Sequence, residues 1–187
     1  MKKFVALVVL SCAVMFSSTV TAEMQPVQIY DQNVSTLIQR LQKNGIKIWN
    51  IEYRNASGYS GYEAHFGDNP NNQLAVLVNN DGAVSALGIV TQCPLEDDSY
   101  FKTFQVGEVW GATLLIVGLT QDDLRKIVDE YFFSVSNAIK QNPYLKRYQK
   151  TFSAYSVQTK RLIVSEVFME EIRPGIGEFR IFMRAYL

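Results

Sequence analysis

The sequence predicts an α+β domain: a mostly antiparallel sheet with two main helices packed on one face, ordered helix, strands, helix, strands. Three patterns lead there. Val34, Leu37, Ile38 and Leu41 recur at i, i+3, i+4 and i+7, and Leu124, Ile127, Val128, Tyr131, Val135, Ala138 and Ile139 form a longer stripe of the same period. The apolar runs on either side of Asp81-Gly82 read as a β-hairpin, because that pair tolerates the positive φ of a tight turn. Beyond Lys150 the period falls to two, the spacing of a strand with unlike faces.

Ahead of these elements, Lys2 and Lys3 precede an apolar run from Phe4 to Phe16, broken only by Ser11 and followed by the small residues Ser17 to Ala22. This is the order of a secretory signal peptide, so residues 1–22 are read as a leader cleaved before Glu23, and 23–187 as a single α+β domain. The run is shorter than the roughly 20 residues a spanning helix needs, so no transmembrane segment is expected after processing. Cys12 in Val9-Leu-Ser-Cys12 makes a poor lipoprotein box, since the apolar run continues through Ala13 to Phe16. The Met-Lys-Lys start suits bacterial export, to the periplasm or the medium.

Asp31 or Asn33 can cap the first helix and Asn44-Gly45 can end it. Ile46 to Arg54 is β-branched and aromatic. Within it Trp49, Ile51 and Tyr53 are out of phase with Ile46 and Ile48, which predicts a bulge near Trp49 or two buried faces. Tyr62 to Phe66 reads as a short strand between turns at Gly58-Tyr-Ser-Gly-Tyr62 and Gly67 to Asn72. Gly111 to Gly118 suits a buried strand, although period alone leaves a helix open. Thr120 and Asp123 can form a capping box, with Leu119 and Leu124 as a hydrophobic staple, and Asn142-Pro143 stops that helix. Strands follow at Thr151–Val157, Arg161–Met169 and Glu178–Tyr186, the last two joined around Arg173-Pro-Gly-Ile-Gly177. Phe179, Ile181, Met183 and Ala185 alternate with Arg180, Phe182, Arg184 and Tyr186, giving one apolar face and one charged and aromatic face.

Without Lys2 and Lys3, 16 of the 18 basic residues face 18 acidic ones, which argues against nucleic acid as a partner. Charge is uneven, however. Between Tyr131 and Ser165 there is no acid, whereas Lys140, Lys146, Arg147, Lys150, Lys160 and Arg161 are interleaved with Tyr144, Tyr148 and Tyr155. Lys146, Arg147 and Lys150 with Tyr144 and Tyr148 are therefore the candidate surface for a protein or an anionic envelope component, such as a phospholipid headgroup or lipopolysaccharide. Tyr59 and Tyr62, spaced by glycines, are candidate ligand contacts in an aromatic loop. Phe133 falls opposite the apolar stripe of its helix, where the C-terminal strands are expected to cover it; otherwise it would be offered to a partner.

Catalytic patterns are thin. Once the leader is removed Cys93 is the only thiol, so an internal disulfide is impossible, and Glu96, Asp97 and Asp98 beside it oppose thiolate formation. Pairing Cys93 with the only histidine, His65, is the obvious nucleophile hypothesis. Gly58-Tyr-Ser-Gly-Tyr62 has its second glycine one place too early for a hydrolase elbow. The acid pairs Asp97-Asp98, Asp122-Asp123 and Glu170-Glu171 are better explained by capping or exposure than by acid–base work. One histidine, no cysteine pair and no glycine-rich phosphate loop give no reason to expect a metal or a cofactor. The resulting expectation is an exported, non-catalytic binding protein acting on a protein or envelope partner, with a small exported hydrolase using carboxylates or Cys93 and His65 as the alternative.

Overall fold

Asn33 opens the first helix, α1 (Val34–Lys43), by accepting a hydrogen bond from the Thr36 amide at 2.9 Å, and the Asn44 amide closes it by donating to the Arg40 and Leu41 carbonyls. Val34, Leu37, Ile38 and Leu41 are its buried residues, the stripe the sequence predicts. The computed structural model describes residues 24–56, 59–94, 104–142 and 147–187. The proposed leader, Asp97-Asp98, Pro143, Tyr144 and Lys146 lie outside the described residues.

The strands are β1 (Pro26–Val27), β2 (Tyr30–Asn33), β3 (Ile48–Ala56), β4 (Tyr59–Phe66), β5 (Gln73–Val78), β6 (Ala83–Pro94), β7 (Arg147–Ser156), β8 (Arg161–Arg173) and β9 (Ile176–Tyr186). They form one sheet in the order β3-β4-β5-β6-β9-β8-β7, with β1 beside β9 and β2 beside β6, and every pairing is antiparallel. The two halves of the chain meet where β6 pairs with β9. Among the described residues no helix is long and apolar enough to cross a membrane.

The mostly antiparallel α+β class is as expected, but the helices differ. Among the described residues there are three, and the extra one is α2 (Phe104–Ile116), which takes up most of the stretch read as a buried strand. It is apolar nearly all round, so its sequence carries little of the one-sided period that would have separated helix from strand. The third helix, α3 (Gln121–Gln141), starts on the expected reciprocal Thr120–Asp123 capping box. The helices neighbour one another in chain order, α3 resting on edge strand β7, α2 on β6, and α1 on β2 and β3. One core cluster joins all three, including Leu37 and Leu41 of α1, Trp110 and Leu114 of α2, Ile127, Tyr131 and Val135 of α3, and Leu87, Ile89, Val167, Ile181 and Met183 of the sheet.

Local detail explains the irregular stretches. In β3, Trp49 pairs with His65 and Glu52 with Glu63, so Asn50 and Ile51 together oppose Ala64; Asn50 has φ +50°. This is the bulge expected near Trp49, and it resets the phase so that Ile48 and Tyr53 both turn toward the core side. The β5–β6 hairpin turns at Asp81-Gly82, with Gly82 at φ +78°, but its loop is three residues long. The Asn79 amide donates to the Ala83 carbonyl, while the Asn79 side chain accepts from the amides of Asp81 and Ala83. Tyr59 to Tyr62, expected in a turn, are part of β4. Gly61 is there because a Cβ would stand 2.5 Å from the Val76 carbonyl oxygen of the neighbouring strand.

Candidate binding site

Glycine in a helix interior costs about 1 kcal/mol against alanine, yet Gly107 and Gly111 stand one turn apart on α2 and line the same cavity. A Cβ at Gly107 would meet nothing within 4 Å, and one at Gly111 would only reach Leu124, at 3.6 Å. Packing requires glycine at neither position. Their missing side chains help leave a cavity of about 610 Å³ between α2, α3, the end of α1 and β9.

Its floor is buried and largely aromatic: Trp110, Tyr131, Phe179 and Ile181. Half-buried Ala112, Leu115, Leu124 and Val128 form the walls, and Phe132, 48% exposed, forms part of the lip. The polar lining groups, Asn44, Glu108 and Gln121, belong to exposed residues at the mouth. The Trp110 ring meets Tyr131 edge-on at 5.8 Å, and its indole N–H donates to Ser165 Oγ at 3.1 Å, which fixes the floor to β8. Burial, with Tyr148 nearby, pushes the Tyr131 hydroxyl far above its usual pKa and keeps it neutral. A cavity of this size, apolar with a few polar groups at one end, suits the apolar part of a ligand. Sequence reasoning missed it because the α2 stretch was read as a strand; Gly107 and Gly111 at i and i+4 were the available signal.

The residues predicted to bind do not share one surface. Arg147 and Lys150 are three apart on β7 and so lie on opposite faces of it; Arg147 is exposed, whereas Lys150 pairs with Glu130 of α3 at 2.9 Å. Tyr148 is buried, its hydroxyl 2.8 Å from Ser134 Oγ. Tyr62 is half-buried against Tyr53, and Tyr59 begins β4. Phe133 is not covered by the C-terminal strands but 70% exposed, because α3 meets β7 along its other side.

Three further C-terminal cations are paired with acids. On the sheet face turned away from the core, Arg184 bonds Glu166 and stacks over Phe182, while Arg180 reaches Glu170 at 2.9 Å and Glu178 at 3.2 Å. Arg161 holds Asp31 at 2.5 Å and lowers its pKa. The same outer face carries Glu63, whose Oε1 is buried without a hydrogen-bond partner although Arg54 reaches Oε2 at 3.3 Å. Burial raises the Glu63 pKa more than Arg54 lowers it. A raised carboxyl pKa contributes stability that is complete below the unfolded value, about 4.3, and lost as pH rises through the folded value. Glu63→Gln should therefore gain stability relative to the parent chain between about pH 4 and pH 7, seen as diverging urea midpoints; a constant offset would show that Glu63 is not titrating in this environment.

The catalytic alternative finds little support in the geometry. His65 shares its cross-strand row with Gln73 and Val90, and Cys93 lies three residues beyond Val90 on β6. Two strands across and three residues along place their backbones about 14 Å apart, too far for a hydrogen-bonded nucleophile and base. Trp49 instead stacks on His65 at 4.6 Å. Among the acid pairs, Asp123 completes the α3 cap, Glu170 binds Arg180, and Glu171 accepts from the Gly175 amide. The chain matches no family model, no curated protein and no solved structure.

Proposed function

We propose that the chain is an exported binding protein, and that it takes the apolar part of a ligand or partner into the cavity between α2, α3 and β9. The observation that carries this reading is the open space over Gly107 and Gly111 above an aromatic floor. The lining titratable groups, Glu108 and Tyr131, are an exposed rim carboxylate and a neutral phenol, a set suited to binding rather than to bond cleavage. Phe132 extends the apolar lining to an exposed lip at the mouth. Export rests on the basic, apolar and small-residue order of residues 1–22.

The test has two parts. Chain recovered from envelope or medium should have the intact mass of Glu23 to Leu187, and that material should bind the uncharged fluorophore phenylnaphthylamine with micromolar affinity. Gly107→Leu, which fills the cavity from α2, should weaken binding about tenfold or more while stability holds or rises through helix propensity. Undiminished binding by a folded Gly107→Leu chain would remove the cavity from the proposal, and recovery only as the unprocessed cytosolic chain would remove export.

A further inference from the structure

Among the described residues, strand β3 ends the sheet on one side, and residues 49–55 are all exposed, including Trp49, Ile51 and Tyr53 at 37%, 46% and 54%. An unpaired edge is a template for another strand, and proteins usually guard it with proline, like charges or a bulge. Here the bulge at Asn50 and Ile51 protects only the start. Glu52 to Ala56 run in unbroken register with Glu63 to Tyr59 of β4, without proline, and their charges are one Glu and one Arg on either side of Tyr53.

That order is self-complementary. In an antiparallel pairing centred on Tyr53, Glu52 of each copy stands directly opposite Arg54 of the other, and Ile51 stands opposite Asn55. We propose that β3 is the interface with a second copy of this chain, paired in this register about a two-fold axis. Directly opposed residues share a face, so both Glu–Arg pairs fall on the outer face, beside Glu63. The two Tyr53 rings meet on the other face, each already edge-on to its own Tyr62 at 5.2 Å. Glu52 and Arg54 now bond each other within the strand, and with side chains 45% and 47% exposed they are open to exchange partners. The inference is independent of the cavity, which lies at the α2–α3 side of the molecule.

A seam this short buries less than about 1,200 Å² and supports a transient dimer of micromolar affinity. Sedimentation velocity on the purified chain at low salt should show concentration-dependent dimers. Glu52→Arg places Arg opposite Arg54 twice in the dimer, while within the chain it faces Glu63 favourably; it should weaken association about tenfold or more with an unchanged melting profile. Arg54→Glu should weaken association to the same degree, at some cost to the monomer because it takes away the partner of Glu63. An equimolar mixture of the two variants restores two opposite-charge pairs and should recover the parental affinity as a heterodimer. A chain that stays monomeric at several hundred micromolar, a Glu52→Arg dimer as tight as the parent, or a mixture no tighter than its components would each overturn the proposal.

Discussion

Replacing Glu166 with alanine should destabilise the fold by about 3–5 kcal/mol, the cost of breaking a buried ion pair by removing one partner. Glu166 of β8 and Arg184 of β9 pair diagonally across the two strands with side chains only 4% and 12% exposed, and Arg184 lies over the rings of Phe182 and Tyr186. Alanine would take the Glu166 carboxylate away from a guanidinium that is largely shielded from water. For a domain of this size the melting temperature should fall by roughly 6–20 °C. The pair is nevertheless imperfect, because Glu166 Oε2 is buried with no hydrogen-bond partner. A double replacement, Glu166→Leu with Arg184→Met, should therefore lie within about 1 kcal/mol of the parent or above it, since desolvation of both charges is removed together. Equal losses in the single and double variants would show that removing the Arg184 charge brings no relief, so that an uncompensated guanidinium is not what the single variant suffers from.

Local rules were enough to place the helix cap at Thr120 and the turns at Asp81-Gly82 and around Pro174-Gly175, and to narrow the first cap to Asp31 or Asn33 and the β3 irregularity to a bulge or two buried faces. Each of these depends on a few adjacent residues competing for backbone hydrogen bonds, so the signal is contained in the sequence nearby. The cavity depends on α2, whose near-uniform apolar surface hides its period, and on the distant approach of β9 to that helix. The charges were misleading for a similar reason. Arg161 finds Asp31 and Lys150 finds Glu130, acids outside the acid-free stretch, so two of its six cations are paired in ways that local sequence does not reveal. Phe133 shows the limit of helical periodicity: the wheel placed it opposite the stripe correctly, but whether a strand covers that side is decided by where β7 runs.

Gly118→Ala should cost about 3 kcal/mol or more, because backbone strain and a collision coincide. Gly118 joins α2 to α3 at φ +101°, a conformation whose cost to a side chain is about 1–3 kcal/mol. A Cβ there would stand 2.8 Å from Ser156 Oγ and 2.9 Å from Thr159 Cγ2. Ser156 cannot simply step aside. It is fully buried, donates to the Gly118 carbonyl at 2.7 Å and accepts from the Thr159 amide at 3.1 Å, so moving it disrupts one bond that ties the interhelical corner to the β7–β8 turn and one that shapes the turn itself. Gly82→Ala is the matched control. Gly82 also has positive φ, +78°, but a Cβ there would meet nothing within 4 Å, so only the backbone term of about 1–2 kcal/mol should appear. The difference between the two urea-unfolding losses measures the collision itself. Equal losses would mean that the turn yields freely, and that the Ser156 hydrogen bonds do not fix the angle at which α2 hands the chain to α3 and holds the cavity open.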